Sequence, residues 1–172
     1  MNKDRLLSST IMITLSYFAV MYNWVFLVVL MALIIGGLYE FFYLINKKGI
    51  PIYSYTGILI GCLIPLSIYF RFQPTKGWEL LFIVIALITI FMMQFARKDN
   101  NNAIVGISTT LFGVLYVSWF FSFLIKIRFL LPGMDGMKLL GFILIITKVG
   151  DMGALLIGAT FGKHPLLPRQ SQ

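Results

Sequence analysis

Apolar positions along the chain come in long blocks, without the short polar/apolar alternation of soluble helices or strands. The blocks run from Leu6 to about Met21, Trp24 to Ile45, Tyr55 to Phe70, Trp78 to Phe95, Ala103 to Ile125, and onward from near Leu139. Short polar stretches separate them: Tyr22-Asn23, NKKGIP, RFQPTKG, ARKDNNN and KIRFLLPGMDGMK. About 20 apolar residues in a helix cross a hydrocarbon layer of roughly 30 Å. The pattern therefore predicts an all-α, polytopic integral membrane bundle of about six transmembrane helices. No repeat, low-complexity tract or linker divides residues 1–172, so a single membrane domain is expected.

Several details refine the blocks. The first is rich in hydroxyls (Ser8, Ser9, Thr10, Thr14, Ser16), which in membranes more often join helices than do chemistry. Its basic start, MNKDRLL, resembles that of a signal peptide, but no small-residue cleavage site follows, so a retained first span is expected. Pro65 is expected to kink the third span, because its ring removes one backbone hydrogen bond. Glu40, near the end of the second span, reads as an interfacial carboxylate.

Composition agrees with the blocks. The chain is 59% hydrophobic and 12% charged, where a soluble domain carries about 25% charged residues. Its net charge of +8 suits anionic lipid head groups. Basic clusters never exceed two adjacent residues, so no nucleic-acid partner is expected. Cys62 is the lone cysteine and His164 the lone histidine, which excludes an internal disulfide, a cysteine-built metal site and a two-histidine site. With the N-terminus inside, Lys3, Arg5, Lys47, Lys48, Arg97, Lys98, Lys163 and Arg169 lie on the inner side. Arg71, Lys76, Lys126, Arg128 and Lys138 lie on the outer side. Eight against five favours both termini in the cytoplasm.

The last block departs from the pattern. Lys148 and Asp151 lie inside it, and each such residue near a helix centre costs roughly 2.5–3.5 kcal/mol to insert. Intramembrane charges are usually retained for a substrate, an ion or a partner helix. Gly150, Ala154, Gly158 and Gly162 recur every four residues, a stripe that suits close helix packing. Asp151 borders that stripe and is expected to face the bundle. The plain alternative is an i, i+3 pair in which Lys148 and Asp151 neutralise each other. The functional reading gives Asp151 a share in holding a divalent cation or a polar head group, since Mg2+ takes oxygen ligands and commonly one or two protein carboxylates. Beyond the stripe, Lys163, His164 and Arg169 are either interfacial anchors or a phosphate-capturing cluster at the membrane surface.

The run DMGALLIGATFGKHPLLPR resembles a segment of bacterial CDP-diacylglycerol synthases (phosphatidate cytidylyltransferases). The matching positions are Asp151, Gly153, Ala154, Gly158, Gly162, Lys163, His164, Leu166, Pro168 and Arg169. Weaker likeness extends to KDRLLSS, LYEFF with its Lys-Lys-Gly loop, and LYVSWFFSFL. The resemblance implies transfer of cytidylyl from CTP to phosphatidate, giving CDP-diacylglycerol and diphosphate, in the bacterial inner membrane. It further implies Mg2+ as cofactor and CTP, phosphatidate and membrane lipids as partners. By the same resemblance Asp151 is a candidate catalytic residue and metal ligand, and Lys163, His164 and Arg169 are the candidate phosphate and nucleotide ligands. Lys148, the other intramembrane charge, is the second candidate catalytic residue. A homodimer is one assembly open to such a bundle.

The chain departs from that family's pattern at Leu155, where an aromatic is usual, and at Gln170-Ser171-Gln172, where the family continues S-P-K-K. It is accordingly expected to be the N-terminal part of a longer enzyme and inactive alone. Two other functions stay open. CTP-using polyprenol, dolichol and phytol kinases share a similar glycine-spaced segment that begins Gly-Asp, which Gly150-Asp151 fits. A non-catalytic bundle holding a buried Lys148–Asp151 pair is the other.

Overall fold

The computed structural model describes residues 11, 14–72, 77–97 and 102–161. Helix α1 covers 14–21, and α2 (Asn23–Lys47), α3 (Ser54–Tyr69) and α4 (Trp78–Phe95) follow. Then come α5 (Ala103–Gly113), a π-helical segment (Val114–Trp119) and α6 (Phe120–Leu130), which join into one continuous span, and finally α7 (Met134–Phe161). The described residues contain helices and no strand, so the all-α expectation holds.

Three described helices are long and apolar enough to cross a membrane: Asn23–Lys47, Ala103–Leu130 and Met134–Gly158. At 1.5 Å per residue a 25-residue helix extends roughly 37 Å. Helices α3 and α4 are apolar but shorter. Large apolar side chains lie exposed on the outside of the bundle, among them Val28, Leu33, Leu80, Met92, Ile104 and Ile145. Such a surface is a liability in water and the natural outer face of a bundle solvated by lipid.

The core is built on one stripe of α2. Phe26, Leu30, Ile34, Leu38 and Phe42 recur every four residues, and all are buried. This stripe faces α3 and the π segment, where small residues admit it. A Cβ placed on Gly57 of α3 would stand 2.6 Å from Phe42 Cζ, so only glycine lets that ring seat. Across α3, Ile60 and Ile64 pack with Ala86 of α4 and Val114 of the π segment. Helix α3 runs through the buried Pro65 without interruption, and Ser67 Oγ donates to the Ile64 carbonyl at 2.6 Å.

One end of the bundle is fastened by polar contacts. Thr110 is fully buried; its Oγ1 accepts the Tyr53 N–H at 3.1 Å and donates to the Gly106 carbonyl at 2.7 Å. The Tyr53 hydroxyl bonds Gln94 Oε1. The Arg97 guanidinium lies 4.3 Å from the Tyr53 ring centroid. Lys47, Arg97 and the C-terminal end of α7 share this end, whereas Arg71, Lys126, Arg128 and Lys138 share the other. The alternation of helices thus separates the two groups of cations as the loops imply.

Candidate functional site

Helix α7 has two unlike halves. Its first turns lie against the end of α6: a Cβ on Gly136 would strike the Arg128 and Leu131 carbonyl oxygens, and Leu140 is fully buried. Asp135 and Lys138 pair on its outer side at 3.2 Å. Packing fades after the half-buried Leu144.

Farther along, Lys148, Gly150, Asp151 and Ala154 are exposed. A Cβ built on Gly150, Gly153 or Gly158 would meet nothing within 4 Å. The expectation that the small-residue stripe turns Asp151 into the bundle is therefore not met among the described residues. The physical reason lies in how the helix docks. Among the described residues α7 packs chiefly on α6, and through its first turns, while Val114, Val117 and Ser118 of the π segment are buried by other elements. Lys148 and Asp151 also form no ion pair among the described residues. Lys163, His164 and Arg169 lie outside the described residues.

For a divalent cation, the described residues offer too little. They contain no group of three His, Cys, Asp or Glu side chains that could hold a metal. Asp151 gives a single carboxylate at this depth, which does not by itself complete the oxygen shell that Mg2+ requires. The described donors do not make up a complete Mg2+ site.

The opposite end of the bundle holds a cation that lies in a helix and not in the loop that KIRFLLPGMDGMK predicts. Arg128, in the last turn of α6, is only 2% exposed. Its Nε donates to Asn23 Oδ1 at 3.0 Å, and its Nη1 donates to the carbonyl oxygens of Ala19 (3.2 Å) and Val20 (2.7 Å). Those carbonyls belong to the last turn of α1, where helical partners run out, and a cation there also complements the helix dipole. The guanidinium carbon lies 4.8 Å from the Phe26 ring centroid. Nη2 is buried without a hydrogen-bond partner. The sequence signal was present: KIRFLLP sets an arginine in an apolar run with no acid beside it.

Arg128 lines a cleft of about 640 Å³ together with Asn23, Arg71 and the segment leading into α7. Arg71 is exposed and holds φ at 54°, in the left-handed region. It closes α3 in a Schellman-type turn, where its N–H donates to the Ile68 carbonyl at 3.1 Å and the Phe72 N–H donates to the Ser67 carbonyl at 2.9 Å. Glycine usually fills that position because it has no Cβ to clash.

Fold and surface together define a polytopic α-helical membrane protein. The model of the cytidylyltransferase family matches residues 3–171, and the chain belongs to that family. Its chemistry is accordingly of the nucleotidyltransferase class. No curated protein and no solved structure matches the chain.

Proposed function

We propose that this chain is a phosphatidate cytidylyltransferase of the bacterial inner membrane, with the Lys163 end of α7 facing the cytoplasm. The observation that carries this reading is the run Asp151 to Arg169, which resembles the signature of CDP-diacylglycerol synthases and lies within the family match. In the proposed reaction a phosphate oxygen of phosphatidate attacks the α-phosphorus of CTP. A new P–O bond forms, the bond from that phosphorus to the bridging α,β-oxygen breaks, and diphosphate leaves with the electron pair. The reaction needs charge neutralisation and in-line placement more than a protein nucleophile.

In this reading Lys163, His164 and Arg169 neutralise the phosphates at the membrane surface. Asp151, with Lys148 one turn earlier, orients the nucleotide. Among the described residues the face of α7 around Gly150, Gly153 and Gly158 is uncovered, which supports a site completed by a further element, and on that account the 172-residue chain binds CTP without turning it over. The discriminating experiment supplies the intact reading frame with CTP and either phosphatidate or a polyprenol. Labelled CDP-lipid is expected from phosphatidate, whereas phosphorylated polyprenol in its place would overturn the assignment.

A further inference from the structure

We propose that the cleft between Arg71 and Arg128 is a second binding site, specific for a phosphate-bearing anion and separate from the nucleotide site. Separation follows from α7 itself: Met134 borders the cleft, and Asp151 lies seventeen residues farther along the helix, roughly 25 Å at 1.5 Å per residue.

Three observations support an anion. First, Arg128 is nine-tenths buried or more, yet no described carboxylate pairs with it. Its bonds to Ala19 and Val20 satisfy neutral carbonyls and leave the charge unbalanced, with Nη2 unpartnered. A buried charge without a counter-charge is costly, and an arginine fork suits phosphate oxygens. Second, among the described residues no Asp or Glu lines this cleft or the adjoining one of about 590 Å³, which shares Arg71 and Phe129 and adds Trp78. Third, Arg71 keeps a left-handed backbone at a position where glycine would be relaxed. Strain of that kind is held where the side chain serves a purpose.

The setting fixes the chemical class further. The cleft lies at the end of the spans, where Asn23 and the two arginines meet Phe129, Leu130 and Met134. Polar donors beside apolar lining suit a phospholipid, with its phosphate on the arginines and its chains along Phe129 and Leu130. Free inorganic phosphate offers the same oxygens without the chains.

The test uses the full chain in phosphatidylcholine nanodiscs, with melting temperature as readout. Short-chain phosphatidylglycerol, short-chain phosphatidylcholine and inorganic phosphate are titrated separately into wild type and Arg71→Gly. Arg71→Gly relieves the positive φ, so it folds, and it removes one cation from the cleft. A saturable rise with phosphatidylglycerol that needs about tenfold more ligand in the variant is the expected result. A response to phosphatidylglycerol alone identifies a lipid head-group site, whereas an equal response to inorganic phosphate identifies a free-phosphate site. Identical titrations in wild type and Arg71→Gly, equal responses to phosphatidylcholine and phosphatidylglycerol, or no saturable rise with any probe would each overturn the proposal. Arg128→Gln, measured by native mass spectrometry for retained phospholipid, gives a second reading that does not depend on melting temperature.

Discussion

Arg128 and Val20, 108 residues apart in sequence, are joined by a 2.7 Å hydrogen bond from the guanidinium Nη1 to the backbone carbonyl. Through this bond and its neighbours at Ala19 and Asn23, the end of α6 holds the end of α1. Arg128 thus ties the first helix to the bundle by hydrogen bonds, beside Val20, which packs against the core.

Replacing that side chain should loosen α1. Arg128→Ala leaves the Ala19 and Val20 carbonyls without their donor, and bonds to charged donors contribute about 1.5–3 kcal/mol each. We expect a loss on the order of 2–4 kcal/mol and faster hydrogen exchange confined to residues near 14–21. Arg128→Lys should rescue little, because a single ammonium cannot reproduce the fork. Full rescue by lysine would show that charge alone, without the fork, fastens the helix.

Thr110 should matter for the same reason at the other end. Thr110→Val removes the acceptor for the buried Tyr53 N–H, and an orphaned buried donor costs about 1–3 kcal/mol. Thr110→Ser retains the hydroxyl and should lose less. Thermal denaturation of the two variants in one detergent checks the order, and equal melting points would contradict it.

Glycines divide into two groups with opposite expected responses. In Gly106→Ala the new methyl would press on the Pro51 carbonyl oxygen, a backbone atom with little room to yield, so a loss of about 1–3 kcal/mol is expected. Gly158→Ala meets open space and should be neutral, or stabilising by about 0.5–1 kcal/mol through helix propensity. A large loss at Gly158 would reveal close packing on that face.

Much of this architecture was legible in the pattern of apolar blocks. The second to fourth spans fall within two residues of α2, α3 and α4 at each end, because long apolar runs leave little choice of structure. The apolar pattern ends the fifth at Ile125, but the helix continues to Leu130. Lys126 covers the rings of Trp119 and Phe123 at 5.4 and 5.0 Å, and Arg128 finds internal partners, so neither cation ends the helix. The last helix begins at Met134, ahead of the expected Leu139. Pro132-Gly133 and Asp135-Gly136 are both turn signals in the sequence. Gly133 makes the turn with φ of 65°, but Asp135-Gly136 lies inside the helix, where a glycine is needed against the Arg128 carbonyl. The π segment had no signature in the sequence; it lies where Gly61 of α3 admits Ser118.

The candidate site was legible only as a motif. Spacing put Gly150, Ala154 and Gly158 on one face, but spacing cannot say whether another helix lies there, and among the described residues none does. The Arg128 cleft was hidden for the converse reason. Its parts, Asn23, Arg71 and Arg128, are far apart in sequence and only the folded bundle brings them together.

In the proposed function Asp151 serves nucleotide chemistry and not the stability of the bundle. Asp151 is exposed and has no ion-pair partner among the described residues, so Asp151→Asn should leave the melting temperature unchanged. Titration of CTP with Mg2+ into purified wild type and Asp151→Asn separates the two roles. We expect saturable binding by wild type and at least about tenfold weaker binding by the variant at an equal melting temperature. Equal CTP affinity in the two proteins, or a variant that fails to fold, would contradict it.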